Sequence, residues 1–239
     1  EAIKVFTELA THGTSDWVDR AWFQAARLQV EHGRNADAIK SLDALDRDAP
    51  RSGLKAEAAL LRSESLIKLG KGADAEPFLK SLIADGTEPL ASRAALSLAT
   101  IQIERDDAEG ALATLDAALE HSSKSPLVPA FLFRSAEALV KLKRPDEARK
   151  RFLEAAEADP KDAWADDAVA RAARIASERK DDATAFELAE AFPTRFPQSS
   201  LKTEVSLIAA HAAIALKKPE RVVEILEPLA GASDATNTA

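Results

Sequence analysis

The chain has 239 residues, with 32 Lys and Arg against 40 Asp and Glu, a net charge of −8. That balance argues against nucleic acid as the main partner, because phosphate binding wants a basic surface. Cys, Met and Tyr are absent and Ala reaches 51 residues, which excludes disulfides, thiolate nucleophiles and Cys-ligated metals. The apolar fraction of 46% and charged fraction of 30% are those of a folding chain and not a disordered one. The lack of Met even at position 1 fits a processed protein or an excised fragment. The longest uncharged apolar run, Val205 to Leu216, falls short of the roughly 20 residues a membrane-spanning helix needs. No signal peptide is visible, and the compartment stays open, with a lean to the bacterial cell envelope that comes from a resemblance given below.

Gly and Pro are scarce, at 8 and 11 residues, and the helix formers Ala, Leu, Glu, Lys and Arg dominate, so an all-α fold is expected. In chain order the predicted helices are 1–11, 16–32, 36–48, 54–69, 73–84, 90–105, 108–120, 127–142, 145–158, 163–179, 182–192, 200–216 and 219–229. They alternate between two kinds, termed B (the first and every second one after it) and A (the others). The B helices carry a small residue at Ala2, Ala38, Ala75, Ala111, Ala148, Ala185 and Val222, spaced by 36 or 37. Four residues on stand Phe6, Leu42, Leu79, Leu115, Phe152, Ala189 and Leu226, on the same helix face. Twelve residues before the small position of B stand Ala26, Ser63, Ala99, Ala136, Ala173 and Ala210 of the A helices. Small residues let paired helices approach closely and the large column fills the gap. No single unit can bury its own apolar face, so stacked units share one continuous core.

Turn chemistry agrees with this register. Gly33 and Gly70 end A helices where a left-handed residue is wanted. Pro145 and Pro219 open B helices, and Ser15, Asp162 and Asp182 are expected N-caps. Pro77 is expected to delay or kink its B helix, and Pro193 to end one at about Phe192. Residues 1–230 read as one repeat domain and 231–239 as a flexible tail or linker.

The pattern resembles the tetratricopeptide repeat family in the small position of helix A, the small and large positions of helix B, and the closing Pro50, Pro160 and Pro197. The family's early aromatic of helix A is matched at Trp22. The resemblance implies a right-handed α-solenoid of stacked antiparallel helix pairs, about six and a half repeats, that binds a protein or peptide through its concave face. The 36–37-residue unit with a Pro-x-Ser loop, as at Pro197 to Ser199, is similar to that of bacterial cell-envelope repeat proteins.

No catalytic or phosphate-binding motif occurs. Gly70-Lys71-Gly72 reads as an A-to-B turn. The His residues have no metal-ligand spacing: His12, His32 and His121 sit at helix C-terminal ends, and His211 lies mid-helix away from the core stripe. The pairs Asp106-Asp107, Asp166-Asp167 and Asp181-Asp182 do not face one another on a helix, and the first and last read as turn or cap residues. The chain is therefore expected to be no enzyme and to need no cofactor or metal.

Each A helix carries two stripes. The apolar one runs Phe23/Ala26/Val30, Leu60/Ser63/Ile67, Leu96/Ala99/Ile103, Phe133/Ala136/Val140, Ala170/Ala173/Ser177 and Leu207/Ala210/Ile214. It reads first as core, while Phe23, Leu60, Leu96 and Phe133 also stand where the family's groove floor lies. The other stripe is charged, and the resemblance places it on the concave face: Arg20, Arg27, Glu57, Glu64, Arg93, Glu137, Arg174 and His211 are its candidate ligand contacts. Its partly alternating signs equally fit a self-neutralising ladder, with Arg27-Glu31, Glu64-Lys68, Glu137-Lys141 and Arg174-Glu178 as helical pairs. Asn occurs only at Asn35 and Asn237, so the Lys/Asn clamp that some family members use for chaperone tails is absent. Two functions follow: a non-catalytic interaction scaffold, or an oligomerisation arm of a larger cell-envelope protein. Both ends lack a polar capping helix, and self-association through them, or continuation of the array, is expected.

Overall fold

A computed structural model describes residues 1–12, 15–161 and 164–236, with the side chains of 15, 16 and 230–236 outside the description. Among the described residues there are thirteen helices and no strand: α1 (Ala2–His12), α2 (Ser15–Glu31), α3 (Asn35–Asp48), α4 (Lys55–Lys68), α5 (Gly72–Asp85), α6 (Leu90–Glu104), α7 (Ala108–His121), α8 (Val128–Lys141), α9 (Pro145–Ala158), α10 (Ala165–Glu178), α11 (Asp182–Arg195), α12 (Lys202–Ala215) and α13 (Pro219–Thr236). Odd-numbered helices are the B type and even-numbered ones the A type. They form the consecutive packed helix pairs of an α-solenoid, in two compact units: residues 1–107 with α1–α6, and 108–239 with α7–α13. Within each unit a helix packs against its neighbours in sequence, and A helices also touch the next A helix, as α4 does α6 and α10 does α12.

The small columns do what their size allows. Ala26, Ser63 and Ala99 in unit 1 and Ala136 and Ala173 in unit 2 have no exposed surface, and neither do Ala38, Ala75, Ala111, Ala148 and Ala185 of the B helices. Above them Leu42 and Leu79 fill unit 1, and Leu115 and Phe152 fill unit 2. The unit 1 core is otherwise built of Leu45, Leu60, Leu82 and Trp22, and the indole N–H of Trp22 donates to Asp48 at 3.1 Å. The unit 2 core is aromatic: Phe131, Phe133, Phe152 and Phe192 are fully buried, with Phe133 edge-on to Phe152 at 5.2 Å.

Every A helix ends in the same way. Gly33, Gly70, Asp106, Lys143, Lys180 and Lys217 all have φ between 56° and 72°. The next residue's N–H closes back on the helix six-to-one, as in Arg34 to Gln29, Lys71 to Leu66, Arg144 to Leu139 and Lys218 to Ala213. This is the Schellman arrangement, which satisfies carbonyls the helix end leaves open. Only Gly33 and Gly70 were expected from residue type; the other four adopt a conformation that costs non-Gly residues energy. The loops before α4 and α12 are held by serine. Ser52 donates to Asp19 at 2.7 Å and accepts from the Leu54 N–H; Ser199 does the same with Asp166 at 2.6 Å and Leu201.

Four boundaries differ from expectation. Pro77 does not delay α5, which begins at Gly72. Pro193 lies inside α11, which runs on to Arg195. A proline removes its own N–H only, and the next residues still bond back, as Phe196 does to Phe192 at 2.8 Å. The N-cap of α11 is Asp181 and not Asp182: its carboxylate accepts from the Thr184 N–H. α13 continues past 229 to Thr236, so the N-terminal part of the expected tail is helical, while 237–239 lie outside the described residues. The expected caps Asp162 and the Ser15 side chain also lie outside them. Pro145 opens α9 as expected.

Candidate functional site

In unit 1 the charged stripe is carried by α2, α4 and α6. Arg20 and Arg27 are exposed on α2 with Phe23 half-buried between them. The Arg20 guanidinium lies over the Trp17 ring at 5.1 Å, and Trp17 is 56% exposed, so the two form a surface stack. Arg27 meets Glu31 of its own helix at 3.5 Å. Glu57 and Glu64 are half-buried on α4, and Glu64 reaches across to Arg93 of α6 at 2.5 Å. Leu96 is half-buried, whereas Leu60 is 2% exposed. Leu60 is therefore a core residue and not a groove floor, since it belongs to the buried cluster that α4, α5 and α6 build.

In unit 2 the stripe is tied more closely. Glu137 of α8 accepts from Arg134 at 2.6 Å and from Arg171 of α10 at 3.2 Å. Arg171 also meets Asp167 at 3.0 Å, and Arg174 pairs with Glu204 of α12. Arg171 lies over Phe133 at 5.1 Å and Arg134 over Trp164 at 5.3 Å. Phe133 is 1% exposed, packed against Phe152 and Trp164, so it too is core and not floor. His211 is exposed on α12.

Arg134, Arg171 and Trp17 were not singled out by the charged columns. A signal for the two arginines existed: they are 37 residues apart in the same register, and Arg171 stands four residues after Asp167. Their column holds Gln24, Leu61, Ser97 and Ile208 elsewhere, which hides it as a charged one.

The remaining candidates are structural. His32 and His121 at the ends of α2 and α7 place Nδ1 2.7 Å from the carbonyls of Leu28 and Ala117. Asp181 is a cap, and its carboxyl is held below the ordinary range by the Arg149 guanidinium and by Thr184. Glu147 is lowered by Arg144, and Asp37 by Arg34 and Lys40, by side-chain hydrogen bonds first. Among the described residues no group of three or more His, Cys, Asp or Glu could hold a metal ion, and no helix is long and apolar enough to cross a membrane.

The tetratricopeptide repeat family pattern matches at 23–89, 60–126 and 96–163, more than half of the chain. With the fold and the repeat columns, this places the protein among helical-repeat proteins of the interaction-scaffold class. The chain belongs to the tetratricopeptide repeat family. No curated protein matches it. Among solved structures it is similar to the C-terminal part of a repeat protein from Cytophaga hutchinsonii, at 13% identity and a TM-score of 0.74 over 94% of this chain and 86% of that one. It is also similar to YrrB, described as having an unusual peptide-binding site, at 18% identity and 0.61 over 88% and 98%. PilW, a type IV pilus biogenesis factor, aligns at 16% identity and 0.60 over 90% and 93%.

Proposed function

We propose that this chain is a non-catalytic scaffold that holds a peptide or partner surface along the charged A-helix stripe, the face the family pattern makes concave. The observation that supports it is in unit 1. Arg20 and Arg27 leave an exposed cationic strip with the half-buried Phe23 between them and Trp17 beside them, with no pairing to another A helix among the described residues, and Glu57 stands near the start of the next one. In unit 2, Glu137 and Arg174 are engaged by neighbouring A helices and serve the stack first. The partner is a protein and not nucleic acid, in keeping with the net charge of −8. Placement in the bacterial cell envelope belongs to the same proposal, supported by the likeness to PilW. Peptides selected on the immobilised chain test it. Binding should be lost in Arg20→Glu/Arg27→Glu and kept in Arg174→Glu; retention in both variants sinks the assignment.

A second reading, self-assembly, has its own observation. α12 and α13 expose Ile214 at 61% and Val223 at 63%, and α1 exposes Val5 and Leu9. Light scattering over a concentration series should show association that Ile214→Glu/Val223→Glu abolishes. A parent chain that stays monomeric throughout removes this reading.

A further inference from the structure

Half a turn around α4 from Glu57 and Glu64, unit 1 holds a cavity of about 360 Å3 between the C-terminal parts of α3 and α5. Its wall is Arg62, whose side chain is more than nine-tenths buried between Asp43 and Asp46 of α3, 2.6 Å from the latter. The guanidinium lies over the Phe78 ring at 5.4 Å. The same register position is Ala25, Leu98, Ser135, Ala172 or Ala209 in the other repeats. A charged wall here is particular to this repeat and not part of the common core chemistry.

The floor is apolar, with Ala58, Ala59 and Leu82, and the rim is set by Asp46 and Asp85. Both carboxylates stand in the last turns of α3 and α5. There the helix dipole is negative and a cation is favoured, yet the last turn of α5 has no basic residue. Asp85 accepts the Thr87 hydroxyl at 2.6 Å, a neutral donor. A pocket with an apolar floor that ends at Asp85 and two helix C-termini, beside an Asp46 already paired with Arg62, complements a long side chain with a positive head. A planar guanidinium meets a carboxylate through two parallel hydrogen bonds, which an ammonium cannot.

We propose that this cavity is a docking site for an arginine side chain of a partner protein. Its methylenes lie on Ala58, Ala59 and Leu82 and its guanidinium meets Asp85. The site is separate from the stripe and does not depend on it. Lys55, exposed at the start of α4 and also on the rim, is a competing cation.

The test uses the whole chain labelled with 15N and three capped tripeptides, Gly-Arg-Gly, Gly-norleucine-Gly and Gly-Glu-Gly. The arginine peptide should shift the amides of Ala58, Ala59, Ser81 and Asp85 with a saturating curve, and the other two should not. Asp85→Asn should weaken it about 1.4- to fivefold, the range of one exposed charge pair, without moving the thermal midpoint, and Lys55→Ala should strengthen it. Equal shifts from the norleucine peptide, tighter binding of the glutamate peptide, an unchanged affinity in Asp85→Asn, or no shifts at these amides each overturn the proposal. Because Arg20 and Arg27 are untouched, failure here leaves the stripe proposal standing, and the reverse.

Discussion

The two units close the same turn with different residues. Unit 1 uses Gly33 and Gly70 for the left-handed position after its first two A helices, and unit 2 uses Lys143, Lys180 and Lys217. The backbone hydrogen bonds are the same in both. The core differs in parallel: Leu42 and Leu79 fill the large B-helix column in unit 1, and Leu115 and then Phe152 fill it in unit 2, where Phe131, Phe133 and Phe192 are buried as well. A helical repeat thus demands a backbone and a volume at each position, and not a particular residue. The column also accepts Ala189 in the repeat after Phe152, on a helix whose Phe186 and Phe192 are buried. Charges follow suit: unit 2 links α8, α10 and α12 by ion pairs, and unit 1 links α4 to α6 through Glu64 and Arg93 and places a further arginine on the wall of a cavity.

The sharpest way to break this comparison is to empty the large column. Phe152→Ala should cost about 3–5 kcal/mol and Leu79→Ala about 2–5 kcal/mol in chemical denaturation. A loss in unit 2 below that in unit 1 would show that the aromatic core does not carry its share. Next in size is overfilling: Ala136→Leu and Ala173→Leu should each cost about 1–3 kcal/mol, and unchanged midpoints for both would show that the columns are not close contacts.

Smaller effects separate the turns. Lys143→Gly, Lys180→Gly and Lys217→Gly should each raise stability by about 0.5–1 kcal/mol, the relief of left-handed strain less the entropy of glycine. Gly33→Ala should lower it by a similar amount. A thermal midpoint that falls in the lysine series would mean that those side chains do more than occupy the turn. The exposed Arg174–Glu204 pair should show a coupling of about 0–1 kcal/mol in a double-mutant cycle, below that of the half-buried Arg171–Glu137.

Acid supplies the last separation. The Asp181 carboxyl is held low in the folded state by Arg149 and Thr184, so its contribution is present above the ordinary carboxylate value and is lost as pH falls through the lowered one. Stability should drop below about pH 4, the ordinary Asp range, and Asp181→Asn should remove part of that slope. An identical acid profile in the variant would contradict the pairing of the ionised carboxyl with Arg149, since asparagine keeps the cap.

The register of small residues was enough to place thirteen helices and pair them, because a period of 36 or 37 with columns four residues after and twelve before the small position has few other solutions. Two turn glycines were legible for the same local reason: residue type alone reports the need for positive φ. Asp106, Lys143, Lys180 and Lys217 gave no such sign, since their strain is repaid by the helix-end hydrogen bonds that hold them. Pro193 misled for a related reason, because the ladder resumes around one missing donor. The charged stripe was legible as a set of residues, but which of them face solvent was not. By position Phe133 and Leu60 fit core or groove floor, and burial decides for core, Phe133 against Phe152 and Trp164, while Glu137 is shared between Arg134 of its own helix and Arg171 of the next A helix. Helical periodicity is a local property of the chain. Burial and ion pairing depend on what the next helix brings to the contact, and the cavity walled by Arg62 arises only where α3, α4 and α5 meet.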